Sequence, residues 1–516
     1  MGSREESERS PSRSGRSSTP PVLAGVPIVA QYEPPDGSVE RRALQFAERL
    51  LREQPALQLT DELRELTPSR LVPAPAVHLD DLTAIPLLSR FYDVSFLQDR
   101  ARLRAGDGDL VVSCSAPCDR FESYCEQQLG LGRVEWLRVR DTVRNPLEVA
   151  VGSWVDRDTR GAIARDIRTR GLRYIHPHMG NTPVWILAQL LRRKTRCPIE
   201  VIAPPPALTK RVNDKGWIAT TVARMFGPDR AVPGLEAWNY STLANVVRHV
   251  ASTAQVVVIK FPDSAGGAGN FVFDASLFRR LSPSRIRREL RERLGPLGWE
   301  GRGPLLVGAW ETAVICAPSA QIWIPPEGDG PPAIEGIYEQ LIEGLEGYWV
   351  GSVPAQLPEP VIEEIKERAW GLCRVFQRLG YVGRCSFDLL LVGQHAENGQ
   401  VKFVECNGRW GGASLPMTLM NRLFGDWTSQ PYATRECVID GLERVTFGEL
   451  LEVLEPDLFD ARTESGRLIV YNPGGLQSRP GVDVLALGNT WEEARHVVEE
   501  EVPARLRAFL KRRSKR

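Results

Sequence analysis

Glu405, Asn407 and Arg409 fall at every second position of the stretch Val401-Lys402-Phe403-Val404-Glu405-Cys406-Asn407-Gly408-Arg409, whose apolar lead-in predicts a strand. Side chains on a strand alternate faces, so a carboxylate, an amide and, where the strand persists, a guanidinium share one surface. A second strand, 384–392, precedes it, and the polar segment 393–400, with Asn398-Gly399 inside, reads as the turn of a hairpin. Pairing Val392 with Val401 sets Asp388 opposite Glu405. Two carboxylates opposed across a ladder repel each other, and a cation between them relieves the repulsion. Mg²⁺ suits the place: it takes hard oxygen ligands, is held by one or two carboxylates together with substrate phosphates, and can be completed by an amide oxygen such as that of Asn407. Arg409 offers a planar fork to a phosphate or a carboxylate. A hairpin whose polar face is merely solvated would carry the same local pattern.

The lysines add a second constellation. Of 65 basic residues only eight are lysine, so a lysine in an apolar or glycine-rich setting marks a place for a compact point charge instead of a fork. Lys260 ends the apolar run 255–260. It is followed by Phe261-Pro262-Asp263-Ser264-Ala265-Gly266-Gly267-Ala268-Gly269-Asn270 and then by a second β-like run, 271–273. Strand, glycine loop, strand is neither a Walker loop nor a dinucleotide-binding turn, both of which open a helix. Such a loop can still fold over a polyphosphate, because backbone N–H groups make an anion nest and missing Cβ atoms permit close approach. A glycine hairpin without a ligand fits the same residues. Lys215 lies in the first turn of a helix predicted over 215–226, started by Asn213-Asp214 and closed by Gly227. A cation is unfavourable at the positive end of a helix dipole, so Lys215 either reaches solvent or has an anion beside it. The run 303–311 is an apolar strand that ends in Ala309-Trp310-Glu311.

These residues need a scaffold. The chain has 516 residues, enough for two to four domains, with 42% hydrophobic and 25% charged residues and a net charge of zero. Neutrality removes the electrostatic case for nucleic acid or an anionic membrane as principal partner. No apolar run is long enough to span a bilayer, and residues 1–20, rich in Ser, Arg, Glu and Pro, lack the apolar core of a signal peptide. The expectation is a cytoplasmic protein with a disordered tail over 1–20. The nine cysteines are read as reduced structural thiols, and His176-Pro177-His178 supplies too few ligands for a zinc site.

From 21 to 204, short β-like runs (22–30, 110–112, 134–139) alternate with helical patterns (39–52, 119–129). The last unit is the clearest: a strand at 174–179, a helix capped by Asn181 and running to about 193, and a strand at 199–202. This alternation predicts an open, largely parallel α/β layer. A helix over 360–379 leads into the hairpin, and Ser414 caps a further helix ending near Gly425. Residues 426–516 read as a small separate α+β module: a helix at 446–454, strands at 467–471 and 482–487 around the turn 472–475, and a helix from 490 to about 510.

Taken in order, a helix-borne Lys215, a strand-ending Lys260 with its glycine loop, an apolar strand ending in Glu311, then Gly380-Tyr381-Val382-Gly383 before Phe387-Asp388, and Glu405-Cys406-Asn407-Gly408-Arg409 resemble the ATP-grasp superfamily over residues 205–425. The resemblance implies ATP and Mg²⁺ as cofactors. Lys215 and Lys260 would contact the nucleotide phosphates and Ser264, Gly266, Gly267, Gly269 and Asn270 would cover them. Ala309, Trp310 and Glu311 would border the adenine, Asp388, Glu405 and Asn407 would hold Mg²⁺, and Arg409 would face the transferred phosphoryl group or the substrate. The region 21–204, with Tyr174-Ile175-His176-Pro177-His178-Met179-Gly180-Asn181-Thr182-Pro183, and the module 426–516, with Tyr471-Asn472-Pro473-Gly474-Gly475, are similar to the pheganomycin-type peptide ligases that carry a pre-ATP-grasp domain. That likeness implies an N-terminal pre-ATP-grasp domain, a central ATP-grasp fold and a C-terminal module. It also implies a small-molecule carboxylate donor joined to an amine or peptide acceptor with release of ADP and phosphate. A ligase joining an amino acid to a small non-peptide amine would share every residue named, and the oligomeric state, a homo-oligomer included, is not fixed by the sequence.

Overall fold

Three sheets carry the fold in the computed structural model, which describes residues 23, 25–85, 95–140, 145–262, 264, 269–474, 476 and 480–515. The expected tail over 1–20 and the loop glycines Gly266 and Gly267 lie outside these residues. The first sheet is wholly parallel, with β1 (Ala76–Leu79), β2 (Leu110–Ser113), β3 (Glu135–Arg138), β4 (Tyr174–Pro177) and β5 (Glu200–Val201) in the order β3-β2-β1-β4-β5. The α/β layer expected for this part of the chain is present, with a central strand β1 that the sequence pattern does not announce: all four of its residues are buried, so it has no alternation to detect. The run 22–30, by contrast, forms no strand among the described residues. Pro27 cannot donate to a ladder, and the segment docks elsewhere, Val29 N donating to Glu335 Oε1 at 3.3 Å and Gln31 N to Ile334 O at 3.0 Å.

The second sheet is antiparallel: β6 (Leu235–Ala237), β7 (Val256–Lys260), β8 (Asn270–Asp274) and β9 (Leu305–Ala309), in the order β6-β9-β7-β8. Helices Tyr240–Thr253 and Pro283–Leu294 bury Leu243, Val247, Ile286 and Leu290 against Val257, Ile259, Leu305 and Val307. This unit presents Lys260, paired with Asn270, at one end.

The third sheet has nine antiparallel strands: β10 (Val314–Cys316), β11 (Pro318–Ile324), β12 (Ala333–Glu343), β13 (Tyr348–Pro354), β14 (Gly383–Val392), β15 (Gln400–Asn407), β16 (Tyr432–Val438), β17 (Leu468–Asn472) and β18 (Gly481–Leu487). Strand β14 pairs with β10, β11 and β15. The segment 426–516, expected as a separate unit, contributes β16, β18 and β17 to this same sheet through the pairs Gly351–Arg435 and Ser352–Thr434. A Cβ at residue 351 would stand 2.0 Å from Thr434 O, so the junction depends on a glycine.

Helix Glu359–Arg378 follows the expected span closely. Its buried residues Val361, Ile365, Ala369, Leu372 and Phe376 recur at intervals of three and four, which makes one apolar stripe. Together with Val39, Phe46 and Leu50 of helix Gly37–Glu53 that stripe covers Phe387 and Phe403 of the hairpin. Each such side chain contributes about 1.5–3 kcal/mol by burial. The far face of β14 and β15 is thereby fixed, and their polar side chains must point the other way. Among the described residues no helix is long and apolar enough to cross a membrane.

Candidate functional site

The carboxylate pair depends on a β-bulge. Strict alternation would put Glu405 and Asn407 on the same face as Val401 and Phe403, which are buried against the helices. The ladder pairs Leu391 with Val401 and Leu389 with Phe403, then shifts by one residue so that Asp388 faces Glu405, Phe387 faces Cys406 and Ser386 faces Asn407. Val404 is the extra residue. It turns Glu405 and Asn407 to the open face while Cys406 packs inward, its Sγ 3.6 Å from that of Cys385. The expected pairing of Val392 with Val401 is therefore corrected to Val392 with Gln400, yet Asp388 and Glu405 still meet.

Asp388 accepts hydrogen bonds from Ser319 Oγ on β11 and from Asn407 Nδ2, each at 2.9 Å, and Gln321 Nε2 donates to Ser319 Oγ at 2.9 Å. Burial, and after it the charge of Glu405, push the Asp388 carboxyl up to about 7. Burial would raise Glu405 as well, but the ammonium of Lys215 and, beyond it, Arg409 hold it below the ordinary carboxylate range. Lys215 Nζ lies 2.7 Å from Glu405 Oε2 and donates to Ser264 O at 2.9 Å. The anion that the helix dipole demanded beside Lys215 is thus a carboxylate of the site itself.

Lys260 stands at the end of β7, and its Nζ is 5.7 Å from the centre of the Trp310 ring. Burial, then repulsion from Lys215, lower it to about 8, with Glu405 acting in the opposite sense. Among the described residues that follow it, Phe261 N donates to Gly269 O at 3.0 Å, and a Cβ at residue 269 would stand 2.2 Å from Ser264 Oγ. Asn270 Nδ2 donates to Glu346 O at 3.0 Å in the turn between β12 and β13, which ties this sheet to the long one.

Arg409 is buried, and residue 409 forms an isolated bridge with Met179, just beyond β4. Trp410 N donates to His178 O at 3.1 Å and Trp410 Nε1 to His176 Nε2 at 3.2 Å. The histidines are packing partners of the strap that carries Arg409. They sit at the carboxyl end of β4, His178 N donating to Leu79 O at the end of β1 at 3.1 Å, where the strand order reverses and open α/β sheets place their ligands.

Of the expected residues, Lys215, Lys260, Ser264, Asp388, Glu405, Asn407 and Arg409 surround one place. Glu311 turns instead to Lys402, at 2.7 Å, and Ala309 pairs with Val257 in the ladder. Ser414 does not cap its helix; Ala413 occupies that position and Ser414 Oγ accepts from Gly411 N at 2.7 Å. Three contributors escape the sequence reading. Ser319 and Gln321 lie two apart on a buried strand, a polar period-two pattern in an apolar run that marks them. Asn213 belongs to the expected helix start, but Asp214 alone caps, accepting from Trp217 N at 3.0 Å, and Asn213 is left to serve Arg409.

The donor set fits a hard divalent cation. Two partly buried carboxylates face each other, one with its charge disfavoured, and an amide whose nitrogen bonds to Asp388 keeps its oxygen for a ligand. Because Asp388 titrates near 7 in the folded chain and near 4 when unfolded, the stability it lends is complete below pH 4 and is lost as the pH climbs through 7. Asp388→Asn cannot ionise and Asn407 can turn its amide to match. The variant is expected to melt roughly 2 °C or more above the wild type at pH 8, with the gain shrinking toward pH 4. Melting curves that coincide at pH 8 would remove the charge conflict from the site.

No family model matches the chain and no curated protein matches it. Among solved structures, an ADP complex of N5-carboxyaminoimidazole ribonucleotide synthetase is similar at 9% identity and a TM-score of 0.49, over 86% of this chain and 99% of its own. The enzyme of the same name from Thermus thermophilus is similar at 16% identity and 0.46, over 84% and 98%. A biotin carboxylase from Campylobacter jejuni with a β-γ-ATP ligand stands at 11% and 0.47, over 77% and 86%.

Proposed function

We propose that this chain is an ATP-dependent carboxylate–amine ligase of the ATP-grasp kind, which forms a peptide bond through an acyl phosphate in the assembly of a peptide natural product. The observation that carries the reading is the convergence of Asp388, Glu405 and Asn407, on the long sheet, and of Arg409, just past the end of β15, with Lys215 and Lys260. In this reading residues 21–204 are the pre-ATP-grasp domain, 205–425 the ATP-grasp domain and 426–516 the C-terminal module. Phosphoryl transfer needs little covalent help and much positioning and charge neutralisation, and the site is built from fixed charges.

Lys215 and Lys260 would take the nucleotide phosphates, with Ser264, Gly266, Gly267, Gly269 and Asn270 above them and Ala309, Trp310 and Glu311 along the base. Lys215 would exchange Glu405 for a phosphate oxygen. Asp388, Glu405 and Asn407 would hold Mg²⁺, which supplies Lewis-acid charge stabilisation at the transferring phosphoryl group. A substrate carboxylate oxygen attacks the γ-phosphorus while the bond to the bridging oxygen breaks and ADP leaves. Arg409 faces the charge that moves. The amine lone pair then attacks the acyl carbon, phosphate departs with the C–O bonding pair, and the amine gives up its proton. No Ser, Cys or His nucleophile is required.

Incubation with a matching acid, an amine-bearing peptide, Mg²⁺ and ATP is expected to give ADP and phosphate in step with amide, and hydroxylamine in place of the amine to give a hydroxamate. Release of AMP and pyrophosphate would overturn the acyl phosphate. Acceptance of a small non-peptide amine alone would overturn the peptide acceptor.

A further inference from the structure

Arg409 reaches the site from beyond the end of β15, with 6% of its surface exposed. Its Nη1 donates to Asn213 Oδ1. The same oxygen accepts from Gly408 N at 3.1 Å, and Asn213 Nδ2 donates to Thr209 O at 2.8 Å. Asn213 is as buried as Arg409. A Cβ at residue 408 would stand 2.3 Å from Val212 Cγ2 and 3.0 Å from Asn213 Nδ2, so the approach exists only because residue 408 is glycine.

The side-chain type is informative. A carboxylate at 213 would hold the guanidinium more strongly, but it would neutralise it and set an oxygen against the Thr209 carbonyl. A hydroxyl is too short to serve Gly408, Arg409 and Thr209 together. An amide accepts on one side, donates on the other and adds no charge. A buried guanidinium held by a neutral acceptor keeps its positive charge for something else, and here that something lies toward Asp388 and Glu405, whose charges it feels.

We propose that Asn213 is the positioning residue for Arg409: its amide oxygen fixes the guanidinium and leaves its charge for a transferring phosphoryl or carboxylate anion. This rests on the ligase reading above. The test compares wild type, Asn213→Ala, Arg409→Ala and the double variant, by Mg²⁺-dependent ADP release from ATP and by calorimetric titration with inorganic phosphate. Asn213→Ala is expected to lower kcat by about 10²-fold, since a small misplacement of a catalytic group costs that much, with the KM for ATP changed by no more than about threefold and phosphate affinity about tenfold weaker. In the Arg409→Ala background the same substitution is expected to cost nothing further, because no guanidinium remains to be held. Losses that add in full would make Asn213 merely structural and overturn the proposal, as would an alanine variant with unchanged phosphate affinity. Should the alanine variant not fold, Asn213→Asp keeps the volume and is expected to weaken phosphate binding by neutralising Arg409; unchanged binding overturns the proposal equally. A wild type that binds phosphate with this coupling but releases no ADP would remove the ligase reading and leave the clamp standing.

Discussion

Glu405→Gln is expected to leave a folded protein whose Mg²⁺-dependent ADP release is about 10³-fold slower, a loss of about 4 kcal/mol in transition-state stabilisation. The amide has the shape of the carboxylate, so the bulge at Val404 and the pairing with Asp388 are kept. What goes is charge. Lys215 loses the anion at 2.7 Å and retains the Ser264 carbonyl at 2.9 Å, and the cation loses one of its two carboxylates. Removing one partner of a buried pair leaves the other uncompensated, so a fall of several degrees in melting temperature is expected together with the lost activity. Raising Mg²⁺ should not restore the rate, whereas ATP binding measured without metal should survive, since Lys215 is then free for phosphate. Activity within a few-fold of wild type would remove Glu405 from the metal site.

How much of this is legible in the chain differs from element to element. The pairing of Asp388 with Glu405 is, because Asn398-Gly399 and two apolar runs make a hairpin. The bulge is not, since nothing in Val401-Lys402-Phe403-Val404 names the extra residue; only the demand that Phe403 face the helices and Glu405 the site requires it. Lys215 is marked by its unfavourable place on the helix dipole, and its partner is an anion of the same site. Strands β10 to β13 stay hidden between Glu311 and the helix Glu359–Arg378. Strand β11 is buried along its whole length and so has no solvent face to announce it; Ser319 and Gln321 interrupt its apolar run two residues apart, but that Ser319 meets Asp388 is a contact between distant segments. Strand β1 likewise has no solvent face. The coupling of 426–516 to the long sheet depends on two residue pairs and a glycine, which are contacts between distant segments that local pattern cannot hold.

Lys260→Arg is expected to lose about 10²-fold in kcat/KM for ATP although the formal charge is unchanged. Lys260 ends β7 between Lys215 and the Trp310 ring, in a place where burial and the neighbouring ammonium already hold it at about 8. A guanidinium carries five N–H donors in a rigid fork, a bulkier group than the ammonium to seat in a partly buried position beside a second cation. The ammonium has three donors on a flexible stem and fits as a point charge. The pH dependence separates charge from shape. Only the ammonium form attracts phosphate, so kcat/KM of the wild type is expected to fall as the pH rises through about 8. The arginine variant, protonated throughout, should be low and flat over the same range. A flat profile in the wild type would show that Lys260 does not lose its proton there. An arginine variant that binds ATP as tightly as wild type would make Lys260 a general positive charge at the mouth of the glycine loop, and the preference for lysine at this position in an arginine-rich chain would then need no phosphate to explain it.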